Sequence, residues 1–181
     1  ASVSIGVAGG SVAVGGAGSG VNTLVNTTNS ITGRIAGSNV TTSGAVTVTA
    51  IDVSKIKTDV VSAALSVTVG STAALSVSIA VSLVTVNHAS QVVAAIDSSD
   101  IDAGSVFVDA RNFDGGLKSE LETTGISAAL AVSVSGDFSL AGAGSGASVK
   151  VVTDNLVEAR ISGSDIDAVA LSVIAEDRAL V

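Results

Sequence analysis

The segment Ile96-Asp-Ser-Ser-Asp-Ile-Asp-Ala-Gly-Ser-Val-Phe-Val-Asp-Ala110 occurs three times in this chain in related form. The other versions begin at Ile35 and Ile161, so the leading isoleucines are 61 and then 65 residues apart. In each version a short polar turn follows the isoleucine, and a valine-containing alternating strand follows the turn. Chains that repeat one long unit in this way stack the copies, and each copy buries its apolar face against the next. The sequence therefore predicts a repeat-built segment rather than an ordinary globular domain.

The repeat covers essentially the whole chain. The copies span approximately residues 1–52, 53–112 and 113–177, and Ser62-Ala-Ala-Leu-Ser-Val67 of the second copy returns as Ser127-Ala-Ala-Leu-Ala-Val132. Charge follows the same period, because long uncharged Ala/Ser/Val blocks alternate with acidic, turn-rich blocks. No linker separates the copies, so residues 1–181 are expected to form a single segment, a slice of a longer chain.

Composition favours an all-β fold. The 181 residues include no Pro, Cys, Met, Trp or Tyr and three Phe, and valine, isoleucine and threonine fit a pleated surface. We expect a repetitive β-solenoid, a parallel β-helix, with a period of 61–65 residues. A solenoid coil commonly takes about 20 residues, so each period is expected to hold about three coils. Ile35, Ile96 and Ile161 would then form one inward column, about 14 to 15 Å apart, and Asn39, Asp100 and Asp165 would share an outer corner.

The uncharged blocks alternate with a period of two residues, which indicates strand. In residues 75–83 we expect the apolar set (Leu75, Val77, Ile79, Val81, Leu83) to face the core. The opposite set (Ser76, Ser78, Ala80, Ser82) is uncharged as well, which predicts self-association through uncharged faces. Residues 60–86 exceed the roughly 20 residues that a spanning helix needs, but their alternation argues against such a helix, so no membrane span is expected.

Few residues of the chain indicate chemistry. Gly15–Gly20 resembles a phosphate loop, but Val21 stands where the lysine would follow, so we interpret the glycines as packing. His88 is the only histidine and has no cysteine partner for a metal site, so a solvated or core position is favoured. A net charge of −8 argues against nucleic acid as a partner. The sequence predicts no catalytic, cofactor-binding or metal-binding residue.

Acidic residues cluster in the repeated turns. The tight glycine- and aspartate-containing nonapeptide of calcium-binding β-rolls is missing, so these carboxylates are interpreted as solvated turn residues. They are Asp97, Asp100, Asp102, Asp165 and Asp167. An alternative hypothesis is a carbohydrate-binding or carbohydrate-active β-helix, with Asp100 and Asp165 as candidate carboxylates. The lack of Trp and Tyr and the eight basic residues argue against this alternative.

The strand–turn–strand pattern resembles the repeats of giant secreted bacterial adhesins. Ala94–Ala110 and Ala159–Ala175 carry the resemblance, and Arg34–Ala50 departs from it by one inserted residue between Val40 and Val48. The nearest family is that of leukotoxin-like filamentous adhesins, similar in style to filamentous haemagglutinins. The resemblance implies a right-handed parallel β-helix, export, and a place on a long fibre at the bacterial cell surface.

From the repeat and this resemblance together we expect a structural repeat segment, a stalk or fibre element, and not an enzyme. Its expected partners are fibre neighbours in a homo-oligomer, and a host or cell-surface glycan or protein. The expected location is extracellular, on the bacterial cell surface.

Overall fold

A computed structural model describes residues 1–179, and it is all-β, with no helix in that part of the chain. Nine strands follow one another in these residues. They are β1 (Ser2–Ala36), β2 (Asn39–Ile51), β3 (Lys55–Asp97), β4 (Asp100–Arg111), β5 (Phe113–Asp114), β6 (Leu117–Lys118), β7 (Glu120–Val134), β8 (Phe138–Ser162) and β9 (Asp165–Glu176). Valine, threonine and isoleucine recur at every second position of most long strands, and this spacing suits a pleated backbone.

The strands of successive copies pair with one another. One sheet has the order β1-β3-β7, and β8 also pairs with β3. A second sheet has the order β2-β4-β9, and both of its pairings are parallel. Its register shifts once, between Thr42 and Ala45, where the first copy carries its inserted residue. The short β5 and β6 form an antiparallel pair.

Corresponding residues of the three copies are direct neighbours, so the expectation of about three coils per period is wrong. Asn39 pairs with Asp100, and Asp100 pairs with Asp165. At the preceding turn Gly37 N donates to Asp97 O at 3.0 Å and Ser98 N donates to Ser162 O at 2.9 Å. Each copy therefore advances the sheet by one strand spacing, about 4.8 Å, instead of three.

The described chain divides into two compact units, each of which takes one piece from every copy. We name the first the hairpin unit; it holds residues 1–25, 58–86 and 123–151. We name the second the corner unit; among the described residues it holds 26–57, 87–122 and 152–179. The hairpin unit contains most of the uncharged blocks, and the corner unit contains the repeated turns.

The core of the corner unit confirms that the three isoleucines point inward, but they are one strand spacing apart, about 4.8 Å, and not the expected distance of about 14 to 15 Å. Ile96 is fully buried, and Ile35 and Ile161 pack against the same cluster. The buried members of this cluster are Val46, Val48, Ala50, Val92, Ala94, Ile96, Ile101, Ala103, Val106, Val108 and Ala110. Small and β-branched side chains fill the space because each layer adds an equivalent residue above the last.

In the hairpin unit the chain folds back within each copy. Ser19 Oγ donates to Ser2 O at 3.0 Å, although 17 extended residues would span more than about 50 Å. The second copy reverses between Ser66 and Ser76, whose side chains are hydrogen-bonded. In the third copy Ser135 Oγ donates to Phe138 O across the turn. These reversals are formed by the residues that were expected to form additional coils.

The predicted polar turns are present and share one backbone conformation. Gly37, Ser98 and Gly163 occupy the same position in the three copies, with φ of 55°, 49° and 57°. Serine Oγ atoms brace the same turns between copies, since Ser38 N donates to Ser99 Oγ and Ser99 N donates to Ser164 Oγ. The turn is thus repeated in three dimensions as it is in sequence.

Candidate interaction surfaces

The inner faces of the hairpin unit are lined by small hydroxyl and methyl side chains. Six hydroxyl residues there are fully buried, namely Ser62, Ser66, Thr68, Ser76, Ser78 and Ser82. Four of these hydroxyls are hydrogen-bonded to the facing strand; Ser76 Oγ, for example, donates to Ser66 O at 3.1 Å, and Thr68 Oγ1 donates to Leu75 O at 3.1 Å. Ser78 Oγ and Ser82 Oγ are buried without a hydrogen-bond partner among the described residues. A buried hydroxyl is tolerated where it finds such a partner.

The two faces approach very closely. A Cβ atom on Gly15 would lie 2.6 Å from Thr68 Oγ1 and 3.3 Å from Ala8 Cβ. Backbones at this separation leave little room for large side chains. Along residues 62–82 the buried inner positions are therefore serine, threonine, alanine and glycine, whereas valines are buried at the ends of this stretch, at Val60, Val84 and Val86.

The predicted orientation of residues 75–83 is consequently wrong. Ser76, Ser78, Ala80 and Ser82 are buried, whereas Val77, Ile79, Val81 and Leu83 are 38–54 % exposed. Leu75 is half-buried. Alternation correctly separates the two faces of the strand, but close backbone approach selects the small face as the inner one. We name the exposed row Val77, Ile79, Val81 and Leu83 the apolar ridge.

Glycines lie beside the apolar ridge on the neighbouring copies. A Cβ atom on Gly16 would lie 3.8 Å from Val77 O, which places Gly16 next to Val77. On the other side, a Cβ atom on Gly125 would contact both Val149 and Val84, which places these two valines together. Residues two positions apart on a strand point to the same face, so Gly18 and Gly20 lie beside Ile79 and Val81, as Gly16 lies beside Val77. In the third copy, counting back along the strand from Val149 places Gly142, Gly144 and Gly146 beside the same three ridge residues. We name these rows the glycine troughs: Gly16, Gly18 and Gly20, and Gly142, Gly144 and Gly146.

The opposite outer face of the hairpin unit is also apolar. Val3 and Ile5 of the first copy are about two-thirds exposed. With Leu65 and Leu130 of the later copies they line a shallow groove of about 300 Å³. The hairpin unit thus presents larger apolar side chains on both outer faces and small ones inside.

The predicted acidic corner is confirmed on the corner unit. Asp100 pairs with Asp165 and Asp102 pairs with Asp167. All four are exposed, and with Asn39 and Thr41 they line a polar groove of about 480 Å³. Residues 1–179 contain no group of three or more His, Cys, Asp or Glu side chains arranged to hold a metal ion.

Asp97 stands apart from the other acidic residues because it joins three copies. Its Oδ2 lies 2.8 Å from Arg34 Nε of the first copy and 3.4 Å from an Arg160 Nη atom of the third. The Arg160 guanidinium lowers the pKa of Asp97 below its usual value, Arg34 adds to this effect, and partial burial opposes it. The carboxylate acts as an ionic clasp across the repeat.

A buried polar cluster in the corner unit was missed by the sequence analysis. Asp52, only 3 % exposed, accepts hydrogen bonds from Ser54 Oγ and, at 2.5 Å, from Ser90 Oγ. His88 is buried and its Nδ1 lies 2.8 Å from Thr27 Oγ1, in keeping with the favoured core position. The adjoining cavity of about 10 Å³ holds about one water molecule, which is too small for a substrate.

Gly15–Gly20 lies inside β1, and no helix follows it in the described chain. A phosphate loop uses the N-terminus of a helix to hold its anion, so the segment lacks that device. Gly15 serves the close approach of the inner faces, while Gly16, Gly18 and Gly20 belong to a glycine trough.

The strands account for the long uncharged stretches of the sequence. No helix of the length and apolar character needed to cross a membrane occurs in residues 1–179.

Comparison of the chain with models of known protein families, with characterised proteins and with solved structures gives no match.

Proposed function

We propose that this chain is a structural repeat segment, a stalk or fibre element, of a secreted bacterial filamentous or adhesin-like surface protein. Its copies form a parallel β-helix, right-handed as in the adhesin repeats it resembles, with one 61–65-residue copy per layer. It works at the cell surface, where its partners are neighbouring copies and a host or cell-surface glycan or protein. It performs no catalysis.

The direct parallel pairing of β2, β4 and β9 carries this proposal. Each copy offers the same row of backbone donors and acceptors to the next, so a further copy can add at either end without a new kind of contact. Proteins built in this way gain stability from the contacts between neighbouring copies.

The two edges of this sheet suit continuation. β2 and β9 are its outermost strands, and β2 contains neither a charged residue nor a proline. Edge strands of closed domains usually carry such residues to prevent pairing with other chains. If β9 paired with the β2 of another segment, Asp165 and Asp167 would meet Asn39 and Thr41. This contact has fewer like charges than the internal pairs Asp100–Asp165 and Asp102–Asp167.

The carbohydrate-active alternative receives less support. Its candidate carboxylates, Asp100 and Asp165, lie side by side on an exposed sheet. The chain has no Trp or Tyr on which a sugar ring could stack.

A tandem protein tests the stacking function. Two complete segments are joined through a short junction that keeps Ile161 of the first half and Ile35 of the second 61 to 65 residues apart. If the stack continues across the junction, urea unfolding occurs in one transition with an m-value approaching twice that of the single segment, because twice the surface is exposed together. The melting temperature rises with the added interface. Two halves that unfold with the m-value and melting temperature of the single segment would refute the proposal.

A further inference from the structure

We propose that the apolar ridge of one molecule packs into a glycine trough of a second copy of this chain, so that the hairpin units associate side by side. The inference rests on the proposed function, in which many such segments lie close together in a fibre. It adds a lateral contact to the end-to-end stacking described above.

The ridge is an exposed apolar row with no charge near it along the strand. Val77, Ile79, Val81 and Leu83 are each more than one-third exposed, and residues 60–96 contain no Asp, Glu, Lys or Arg. Isolated exposed apolar residues are ordinary, but a continuous row on a flat strand marks an interaction surface. Such a strand face normally carries charged residues that keep other molecules away.

The troughs have no steric explanation within the molecule. A Cβ atom placed on Gly18, Gly20, Gly142, Gly144 or Gly146 would meet no atom within 4 Å. Glycine weakens a strand and often marks a site where another chain comes close. Because no described residue would lie within 4 Å of a Cβ atom at these five positions, we assign the close approach to a second molecule.

The ridge and troughs have matching geometry. Neighbouring copies lie about 4.8 Å apart in the sheet, so a two-fold axis parallel to the strands and midway between two copies places each ridge over the partner's trough. Val77 then meets the row of Gly16, and Ile79 meets that of Gly18. The same patch serves both molecules, as a two-fold contact requires.

The area of this contact predicts a weak dimer. The part of β3 that carries the ridge, residues 74–86, is about 13 residues or roughly 43 Å long, and three neighbouring copies are about 14 Å wide. The two partners together therefore bury about 1,200 Å² at most, the low end for a specific interface. A longer stack would add contact with every copy, so the association becomes firm only in an extended fibre.

A second copy fits these observations better than a lipid surface. A membrane would accept the apolar ridge, but fluid hydrocarbon chains have no need of the flanking troughs. The hairpin unit also has no aromatic residue besides Phe138, whereas membrane interfaces favour Trp and Tyr.

The test is sedimentation equilibrium of the complete segment and two variants. The double variant Gly18→Val/Gly144→Val fills both troughs, and the open space there lets the fold accept valine. We expect the wild type to form a concentration-dependent dimer and the double variant to bind at least about 10-fold more weakly. The matched control, Ile5→Thr on the opposite outer face, should dimerise like the wild type. Circular dichroism and thermal unfolding establish that all three proteins are folded.

The double variant separates a fitted contact from general stickiness. Filling the troughs adds exposed apolar surface, so non-specific association would become tighter, and that result would overturn the inference. A wild type that stays monomeric up to millimolar concentration would overturn it too. Equal binding of wild type and double variant to phosphatidylcholine vesicles, without dimer formation, would assign the face to lipid. End-to-end stacking alone would leave the association of the double variant equal to that of the wild type, and that result would also overturn the inference. The tandem protein tests the stacking itself.

Discussion

The corner position held by Gly37, Ser98 and Gly163 shows how stacking governs a single residue. All three adopt positive φ, which costs glycine almost nothing and an L-amino acid about 1–2 kcal/mol. Ser98 accepts this conformation because its N–H is hydrogen-bonded to Ser162 O of the next copy. The middle copy therefore carries strain that its neighbours avoid.

Ser98→Gly should raise the free energy of unfolding by about 0.5–1 kcal/mol, since relief of strain exceeds the added entropy of the unfolded chain. The matched variant Gly37→Ala should lower it by about 1 kcal/mol, because a Cβ there meets no atom and the φ angle alone is unfavourable. Urea denaturation measures both. A Ser98→Gly variant no more stable than the wild type would show that the corner is unstrained.

At this scale the predicted polar turns and the inward position of the isoleucines are confirmed. The polar turns and the inward isoleucines follow from local chemistry, because short polar side chains favour turns and a lone isoleucine beside them favours the core. The buried carboxylate of Asp52 could not be predicted in this way. Its partner Ser90 lies 38 residues away, and Ser119, which donates to the backbone carbonyl of Asp52, is more distant still. The only signal in the sequence was the 65-residue spacing of Ser54 and Ser119.

At the scale of the element, the strand of residues 75–83 shows the limit of a two-residue period. Alternation defines two faces but does not say which is inside, and a shift of one residue exchanges them. Here shape outweighs hydrophobicity, because the hairpin brings two backbones so close that the buried inner positions of residues 62–82 hold only serine, threonine, alanine and glycine. The pairing of Ser66 with Ser76 across the hairpin was the missing information.

Two serines on this strand should respond oppositely to the same substitution. Ser76 Oγ is hydrogen-bonded to Ser66, whereas Ser78 Oγ is buried without a hydrogen-bond partner among the described residues. Ser76→Ala should destabilise the protein by about 1 kcal/mol, and Ser78→Ala should stabilise it by a similar amount. Urea unfolding of the pair gives the comparison. Equal destabilisation by both substitutions would mean that the Ser78 hydroxyl is satisfied.

On the scale of the whole molecule, the repeat period could be predicted from the sequence, but the path of the backbone within one copy could not. Spacings of 61 and 65 residues give the register of the stack, and the pairing of Asn39, Asp100 and Asp165 follows them. The number of residues per layer depends on how far the chain travels before it returns. The reversals between Ser2 and Ser19 and between Ser66 and Ser76 supply that distance. The turn sequences Gly9-Gly10 and Gly70-Ser71 lie within them, but a turn sequence does not say whether the chain folds back on its own copy or continues into a new coil.

The ionic clasp of Asp97 joins all three copies and should make stability depend on pH. Because the folded state lowers the pKa of Asp97 below its ordinary value of 3.8, the clasp contributes fully above about pH 5 and is lost as pH falls through the lowered pKa. Asp97→Asn should lower the melting temperature by a few degrees at pH 7, and the difference should shrink as the pH falls below 3.8.

Asp102→Asn is the matched control for this measurement. Asp102 faces Asp167 rather than an arginine, so its substitution should leave the melting temperature unchanged or raise it at pH 7. A pH-independent difference for Asp97→Asn would contradict the role of its charge.

The direct pairing of successive copies determines how much polypeptide a stack needs for a given length. Three copies weighing 17.3 kDa advance the stack by only about 14 Å, or about 1.2 kDa for every ångström of length. A filament reaching 500 Å would need roughly a hundred copies, about three times as many residues as one built from 20-residue coils. In a fibre of the proposed kind, length is therefore gained only by adding many copies, and each added copy brings a full set of contacts to its neighbour.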